Sequence, residues 1–248
     1  MRKTQLALSL ALMATVSAQA QALTTGDIAF TSFNADEDSW ALVTFVDIAA
    51  GTEIYISDNE WNGSSFNDTN EHTLVWNTGA GSIAAGTVIT FLEIDDGTPL
   101  SASYGSLSLA SGGGTNLGFA KSNETVYVYL GSATGITTAL TGLTTENDSA
   151  PQNLANAGLT LGSNAIALVN DADFGEYVGV RDGLASLADY QPLVFNADNW
   201  NDVGSGEFTG TVLNDTAFTA AVPEPETYAM MLAGLGLLGV AARRRGKV

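Results

Sequence analysis

The stretch that decides the fold is residues 125–130, which read Thr-Val-Tyr-Val-Tyr-Leu. In an extended chain, Val126, Val128 and Leu130 fall on one face, and the threonine and the two tyrosines fall on the other. Strict alternation in a run rich in β-branched and aromatic residues indicates a β-strand that turns one face toward a core. The sequence therefore predicts a strand here.

Comparable runs recur along the chain and are separated by turns rich in Gly, Asn and Asp. Period-two patterning broken by such turns favours a β-sandwich or a barrel. We predict a mostly β protein built as a β-sandwich, with short helices at 151–157 and 182–190. The predicted strands are residues 27–33, 40–46, 52–57, 73–76, 87–94, 125–130, 165–169 and 193–195.

One short sequence occurs twice. Residues 48–54 read Ile-Ala-Ala-Gly-Thr-Glu-Ile, and residues 83–89 read Ile-Ala-Ala-Gly-Thr-Val-Ile. In each copy a turn of small residues ends in a glycine, which supplies the positive φ that the turn needs, and a strand follows. Two copies are too few for a solenoid. We expect them to form equivalent corners of one sandwich.

Charge is distributed unevenly along the chain. Six of the eight cations lie in the first three or the last six residues, so the body at residues 23–222 keeps only Lys121 and Arg181 against 25 acids, a net charge of about −23. Such a surface repels nucleic acid and anionic lipid, so we expect no nucleic-acid partner. The chain has no cysteine and therefore no disulfide.

The N-terminus has the three parts of a secretory signal peptide. Arg2 and Lys3 form the positive region, residues 6–16 are apolar, and Ala-Gln-Ala at 18–20 or 20–22 offers a cleavage site. We assign residues 1–22 to a signal peptide and predict that the body is exported.

The C-terminus joins a proline-stiffened acidic spacer, an apolar run and a basic end. Residues 227–242 carry no charge. As a helix they would span about 24 Å at 1.5 Å per residue, somewhat less than the roughly 30 Å hydrocarbon core. Snorkelling or local thinning of the bilayer closes such a gap. Because the basic end stays cytoplasmic, we predict a single transmembrane helix with the body outside.

These C-terminal residues resemble the PEP-CTERM sorting signal of Gram-negative bacteria. In that family an exosortase, a membrane-embedded cysteine transpeptidase, recognises the signal, and the host typically makes exopolysaccharide. The resemblance implies exosortase and the inner membrane as partners, and the cell surface or the extracellular space as the destination after processing. It assigns recognition to Pro223, Glu224 and Pro225, a transient anchor to the apolar run, and the stop to Arg243, Arg244 and Arg245.

Residues 39–131 resemble the lamin-tail type of immunoglobulin-like domain found in bacterial surface proteins. The resemblance is carried by the run at 40–46, the turns at 50–52 and 85–87, the segment at 56–61 (ISDNEW), and Leu-Gly-Phe at 117–119. It implies an immunoglobulin-like sandwich and no active site. We divide the chain into a signal peptide (1–22), an extracytoplasmic β-sandwich domain (23–220) and a sorting segment (221–248).

Acidic clusters are the candidates for a metal site. Calcium takes six to eight oxygen ligands, which loops rich in Asp and Asn supply. Asp36, Asp38, Asp171 and Asp173 are the first candidates, although no EF-hand loop is present. The alternative is that these carboxylates are solvated turn residues.

The four tryptophans divide into two pairs. Trp40 and Trp76 lie in strand patterns and are expected in the core. Trp61 and Trp200 lie among polar turn residues, where they either contact a sugar ligand or cap the edge of the sandwich.

Catalytic motifs are scarce in this sequence. The only histidine is His72, and neither a cysteine nor a Gly-x-Ser-x-Gly elbow occurs, so we expect no enzyme. We expect a structural or adhesive surface protein associated with biofilm and exopolysaccharide. A calcium-assisted carbohydrate-binding module is the alternative. A hydrolase with a carboxylate pair is a second alternative, because sequence spacing does not give separation in space.

Overall fold

The computed structural model describes residues 22–67, 71–92, 100–112, 118–120, 122–146, 150–222, 230–238 and 243. Apart from residue 22, the predicted signal peptide lies outside them.

Two six-stranded sheets contain twelve of the fourteen described strands, and strand is the main secondary structure, so the protein is mostly β, consistent with a β-sandwich. Neighbouring strands in the first sheet are all antiparallel. In order across the sheet, they are β13 (Trp200–Asp202), β11 (Phe174–Tyr177), β1 (Ile28–Asn34), β2 (Ser39–Thr44), β5 (Val88–Leu92) and β6 (Ser101–Ala102).

The second sheet contains, in order, β10 (Ala165–Ala167), β9 (Gly135–Thr144), β8 (Thr125–Ser132), β3 (Glu53–Ser57), β4 (Thr73–Asn77) and β7 (Ser106–Ser111). Only its β9–β10 pair is parallel among the described pairs. The predicted strand at 125–130 is confirmed as β8, at the centre of this sheet. A separate parallel pair joins β12 (Asp182–Leu184) to β14 (Thr219–Ala220).

The short helices only partly match the prediction. Within the described residues they are α1 (Ala150–Asn156), a 3-10 turn (Leu187–Tyr190), α2 (Gln191–Val194) and a second 3-10 turn (Ala197–Asn199). The helix predicted at 151–157 is confirmed as α1. The helix predicted at 182–190 is wrong in its first half, which forms β12. The strand predicted at 193–195 is wrong, because Pro192 starts the helix α2 and three apolar residues carry no period.

The longest described strand, β9, is not among the predicted strands. Threonines and two glycines obscure its alternation. One of those glycines is required by packing, because a Cβ on Gly142 would lie 2.6 Å from Leu154 and 2.8 Å from Leu159. The missing side chain therefore lets the helix α1 approach the sheet.

The core lies between the two sheets and includes the two tryptophans predicted to be there. Trp40 and Trp76 are both fully buried. Trp40 stacks on Phe91 of the same sheet with 4.9 Å between ring centroids. Trp76, from the other sheet, meets Phe91 edge-on at 5.3 Å. This aromatic contact joins the sheets at a geometry that aromatic pairs favour.

The repeated sequence forms two equivalent corners, as predicted, and the structure shows in addition that they touch each other. Ile48 and Ile83 exchange backbone hydrogen bonds of 2.8 and 2.9 Å. In each copy the threonine hydroxyl donates to an alanine carbonyl three residues earlier. The glycines Gly51 and Gly86 have φ of +70° and +86°. The two copies are therefore alike in structure as well as in sequence.

The C-terminal apolar run is helical over residues 230–238. Its large apolar side chains are 57–74% exposed, so they take no part in the core. Among the described residues, no helix has the length and apolarity needed to cross a membrane. The rest of the predicted transmembrane run, at 227–229 and 239–242, lies outside the described residues.

Candidate functional site

The outer face of the second sheet is buried as well as its inner face. In β8, Val126 and Val128 belong to the main core, whereas Tyr127 and Tyr129 belong to a second hydrophobic cluster on the other side. Both tyrosines are fully buried. The alternation at 125–130 therefore separates two apolar environments rather than a core from solvent.

Three segments cover this outer face. A loop after β3 is closed by a backbone bridge between Trp61 and Phe66, whose rings meet edge-on at 5.0 Å. The helix α1 holds that loop, since Asn156 donates its side-chain N–H to the Trp61 carbonyl at 3.2 Å. The β8–β9 hairpin has two register shifts, and its turn lies near the end of β7, where the Ser111 hydroxyl faces the Ala133 carbonyl at 3.5 Å.

A cavity of about 350 Å³, here called the outer cleft, remains between these segments. Its size falls in the range of small-molecule sites, roughly 300–1,000 Å³. The wall combines one aromatic ring with hydroxyl, amide and carboxylate groups. Its residues are Asn59, Ser65, Phe66, Glu71, Thr73, Ser111, Gly112, Ala133 and Thr134.

Asn59 places an unpaired acceptor in this wall. Its side-chain N–H group donates to the Ser57 hydroxyl at 3.0 Å and to the His72 carbonyl at 3.2 Å. Because a carbonyl can only accept, these contacts fix the orientation of the amide. Its Oδ1 is buried without a hydrogen-bond partner. An unpaired buried acceptor costs free energy unless a donor reaches it.

A smaller cavity of about 100 Å³, here called the acidic pocket, adjoins the outer cleft, and Glu71 lines both. The acidic pocket brings together the β3–β4 loop, the start of β8 and the residues after β9. Its wall is formed by Asp58, Glu60, Glu71, Asn123, Glu124, Thr125 and Glu146.

Hydrogen bonds hold three of these carboxylates in place. Asp58 accepts from the His72 backbone N–H at 3.1 Å. Glu124 accepts from the backbone N–H groups of Ala120 at 2.8 Å and Thr125 at 3.1 Å. Glu146 accepts from the Thr125 hydroxyl at 2.6 Å. The carboxylates are thus positioned before any ligand arrives.

Burial and mutual repulsion change the acidity of this pocket. Asp58 and Glu124 are only 5% and 4% exposed. Burial, with the charge of Glu71 adding to it, raises the pKa of Asp58 to about 7. Burial, with the charge of Asp58 adding to it, raises the pKa of Glu124 well above its ordinary value. The pocket therefore favours either bound protons or a bound cation.

The predicted calcium ligands have structural partners instead. Asp36 accepts from the Phe208 backbone N–H at 2.7 Å, and Asp173 accepts from that of Gly206 at 2.7 Å. Asp38 accepts from Phe119 and lies against Gly118, where a Cβ would overlap its carboxylate. These three carboxylates attach neighbouring loops to the ends of strands.

The fourth predicted ligand, Asp171, accepts from the Asn170 side chain at 2.8 Å. In the described part of the chain, no three Asp, Glu or His side chains are close enough together to hold a metal ion. Calcium binding at these four residues stays a prediction, and their geometry does not favour it.

The two tryptophans proposed as ligand contacts are buried. Trp61 is 6% exposed and Trp200 is 7% exposed. Trp61 packs against Phe66, and the indole N–H of Trp200 donates to the Val194 carbonyl at 2.8 Å. Neither ring offers the open face that stacking on a sugar needs, because both residues are buried. Ligand contact at Trp61 and Trp200 stays a prediction, and their burial favours the capping alternative.

The acidic pocket was not found from the sequence. The cluster at Asp58 and Glu60 was visible, but Glu71, Glu124 and Glu146 lie on separate segments. Strand pairing brings these segments together: the β3–β4 and β8–β9 pairs form two hairpins, and the β3–β8 pair joins them.

Most of the predicted sorting residues lie outside the described residues, and only Arg243 is described. Those outside are Pro223, Glu224, Pro225, Arg244 and Arg245. Comparison with known families confirms the resemblance, since a model of the PEP-CTERM protein-sorting motif matches residues 221–245. No curated protein matches the chain. No solved structure matches it either.

The chain thus carries a PEP-CTERM sorting motif. The motif supports sorting by an exosortase to the cell surface or the extracellular space, with membrane association before cleavage. The lamin-tail resemblance finds no counterpart in these comparisons and stays a prediction.

Proposed function

We propose that this protein acts at the cell surface or in the extracellular matrix as a structural or adhesive component, and that it works by binding rather than by turnover. An exosortase would process the C-terminal segment first. The observation that carries this proposal is the sorting motif at residues 221–245, which gives the chain an exported destination.

Two properties of the protein support an extracytoplasmic role. The apolar side chains of residues 230–238 are exposed, as expected of a segment that a membrane covers before cleavage. The acidic body, at about −23, favours solubility after release. An immunoglobulin-like sandwich of the lamin-tail type is the finer fold that we propose for it.

Carbohydrate binding is the second candidate function, and the outer cleft favours it. The half-buried ring of Phe66 faces a wall that carries serine and threonine hydroxyls and the unpaired oxygen of Asn59. An apolar surface with a few placed polar groups is the usual composition of a small-molecule site. An exopolysaccharide is the ligand class that this function would involve. The predicted calcium ligands Asp36, Asp38, Asp171 and Asp173 are not among the residues that line the outer cleft.

Export and processing can be tested in the native host. We expect the wild-type protein outside the inner membrane and without its C-terminal segment. A variant with Pro223→Ala, Glu224→Ala and Pro225→Ala should stay in the membrane fraction at its unprocessed mass. Fractionation with mass spectrometry of both chain ends measures this. Glu226→Ala, which leaves the three motif residues intact, is the matched control.

The adhesive role has a separate readout. Deleting the gene should lower surface-attached biomass, and the wild-type gene should restore it. Normal processing of the triple variant would contradict the sorting mechanism. Unchanged attached biomass in the deletion strain would contradict the adhesive role and leave the sorting mechanism standing.

A further inference from the structure

We propose that the outer cleft and the acidic pocket form one binding site for a small amine-bearing ligand of the amino-sugar class, with its protonated amine in the acidic pocket and its ring in the outer cleft. This inference rests on the binding role proposed above and specifies its ligand.

The charge of the acidic pocket selects a cation. Five carboxylates line a space of about 100 Å³, and no lysine or arginine among the described residues lines it. Arg181, the only cation of the body within the described residues, donates instead to the carbonyls of Asn214 and Thr216. Lys121 lies outside the described residues. A ligand that brings its own positive charge therefore complements this pocket.

An ammonium group fits the pocket better than a metal ion does. Calcium needs six to eight oxygens at 2.3–2.6 Å, and no group of three acidic or histidine side chains in the described ranges meets that requirement. An ammonium group has three N–H donors and no acceptor, and it needs only one or two carboxylates for charge-assisted hydrogen bonds. The hydrogen bonds that Asp58 and Glu124 accept from backbone N–H groups hold both carboxylates in position for this contact.

The outer cleft supplies the contacts for the rest of the ligand. Glu71 lines both the outer cleft and the acidic pocket. A ligand that carries both an amine and a ring can therefore extend from one cavity into the other past this side chain. Asn59 lines the larger cavity, and its Oδ1 is a buried acceptor without a partner. A ligand hydroxyl would satisfy this acceptor. The Phe66 ring can pack against the C–H groups of a sugar ring.

Calorimetry with a matched pair of sugars tests the assignment. D-glucosamine carries an amine at the carbon where D-glucose carries a hydroxyl, and the two sugars are otherwise alike. Each sugar is titrated into the full chain in mild detergent at pH 7. We expect glucosamine to bind at least about tenfold more tightly than glucose, because an amine gains charge-assisted bonds. Cation binding lowers the pKa of nearby carboxyls, so the measured heat should depend on the ionisation enthalpy of the buffer.

Variants locate the two ends of the ligand. Asp58→Asn should weaken glucosamine binding by about tenfold or more and leave glucose binding unchanged. Asn59→Ala should weaken both sugars by a similar factor. The matched control is Asp182→Asn, which changes an exposed carboxylate in β12 and should change neither. Circular dichroism confirms that each variant is folded.

Equal affinity for the two sugars would overturn the proposal, and so would the absence of binding to the folded wild type. Calcium binding in place of glucosamine binding would assign the acidic pocket to a metal. Release of reducing sugar from a polysaccharide would assign it to hydrolysis. None of these measurements depends on the C-terminal motif. A failure of the ligand proposal can therefore be distinguished from a failure of the sorting mechanism.

Discussion

Asp58 illustrates how burial alters a single carboxyl group. It directly follows β3, accepts from the His72 backbone N–H and is almost inaccessible. Burial together with the charge of Glu71 raises its pKa from 3.8 to about 7. In the folded protein this residue therefore keeps a proton at pH values where an ordinary aspartate has lost it.

The pH dependence of stability follows from that pKa. Between about pH 4 and pH 7 the folded state binds more protons at Asp58 than the unfolded state does, so this residue lowers the free energy of unfolding as pH rises. We expect the stability of Asp58→Asn relative to the wild type to be greater at pH 8 than at pH 5 by roughly 2 kcal/mol. Urea denaturation at both pH values measures the difference.

The control for this measurement is Asp182→Asn, which removes one exposed carboxylate of β12 and shows how much of the change comes from the loss of one charge alone. A constant difference between Asp58→Asn and the wild type across this range would show that Asp58 ionises normally.

At the scale of elements, the two copies of Ile-Ala-Ala-Gly-Thr show that equal sequence does not mean equal surroundings. Both glycines adopt positive φ. A Cβ on Gly51 would meet nothing within 4 Å, whereas a Cβ on Gly86 would lie 2.1 Å from the Phe218 carbonyl oxygen. The Phe218 backbone N–H also donates to the Gly86 carbonyl at 2.8 Å. The second corner therefore carries a tertiary contact that the first does not.

Alanine substitutions in the two corners measure this contact. Gly51→Ala should cost about 1–2 kcal/mol, since the positive φ alone is strained for alanine. Gly86→Ala should cost about 2 kcal/mol more, because the Phe218 segment must also move. Urea denaturation monitored by tryptophan fluorescence gives both values, and the first variant is the control for the second. Equal costs would mean that the Phe218 contact contributes nothing.

At the scale of the whole molecule, the dominant physical feature is the charge of the body. Two cations against 25 acids leave about −23 on roughly 200 residues. Like charges repel one another over a folded surface and less so in an expanded chain, so this imbalance destabilises the compact state.

Salt should therefore stabilise the protein. Raising sodium chloride from about 20 mM to about 500 mM shortens the screening length severalfold, and we expect the melting temperature to rise by several degrees in scanning calorimetry. Choline chloride at the same ionic strength is the control and should give an equal rise. A melting temperature that does not change with salt would show that self-repulsion is unimportant.

The sequence by itself determined the class of the fold and the sorting destination of the protein. Strand periodicity at residues 40–46 and 125–130, the core positions of Trp40 and Trp76, and the repeated glycine corners are local patterns, so a single chain reveals them. The sorting motif is a continuous segment, and it too can be read directly.

The tertiary structure alone decided where binding chemistry could lie. The calcium candidates at Asp36 and Asp173 looked like free acids in sequence, yet backbone N–H groups from a distant loop occupy them. The outer cleft and the acidic pocket draw Asp58, Glu71, Glu124 and Glu146 from separate segments. Strand register and the loops that cover the second sheet create that proximity, and both depend on packing between residues far apart in the chain.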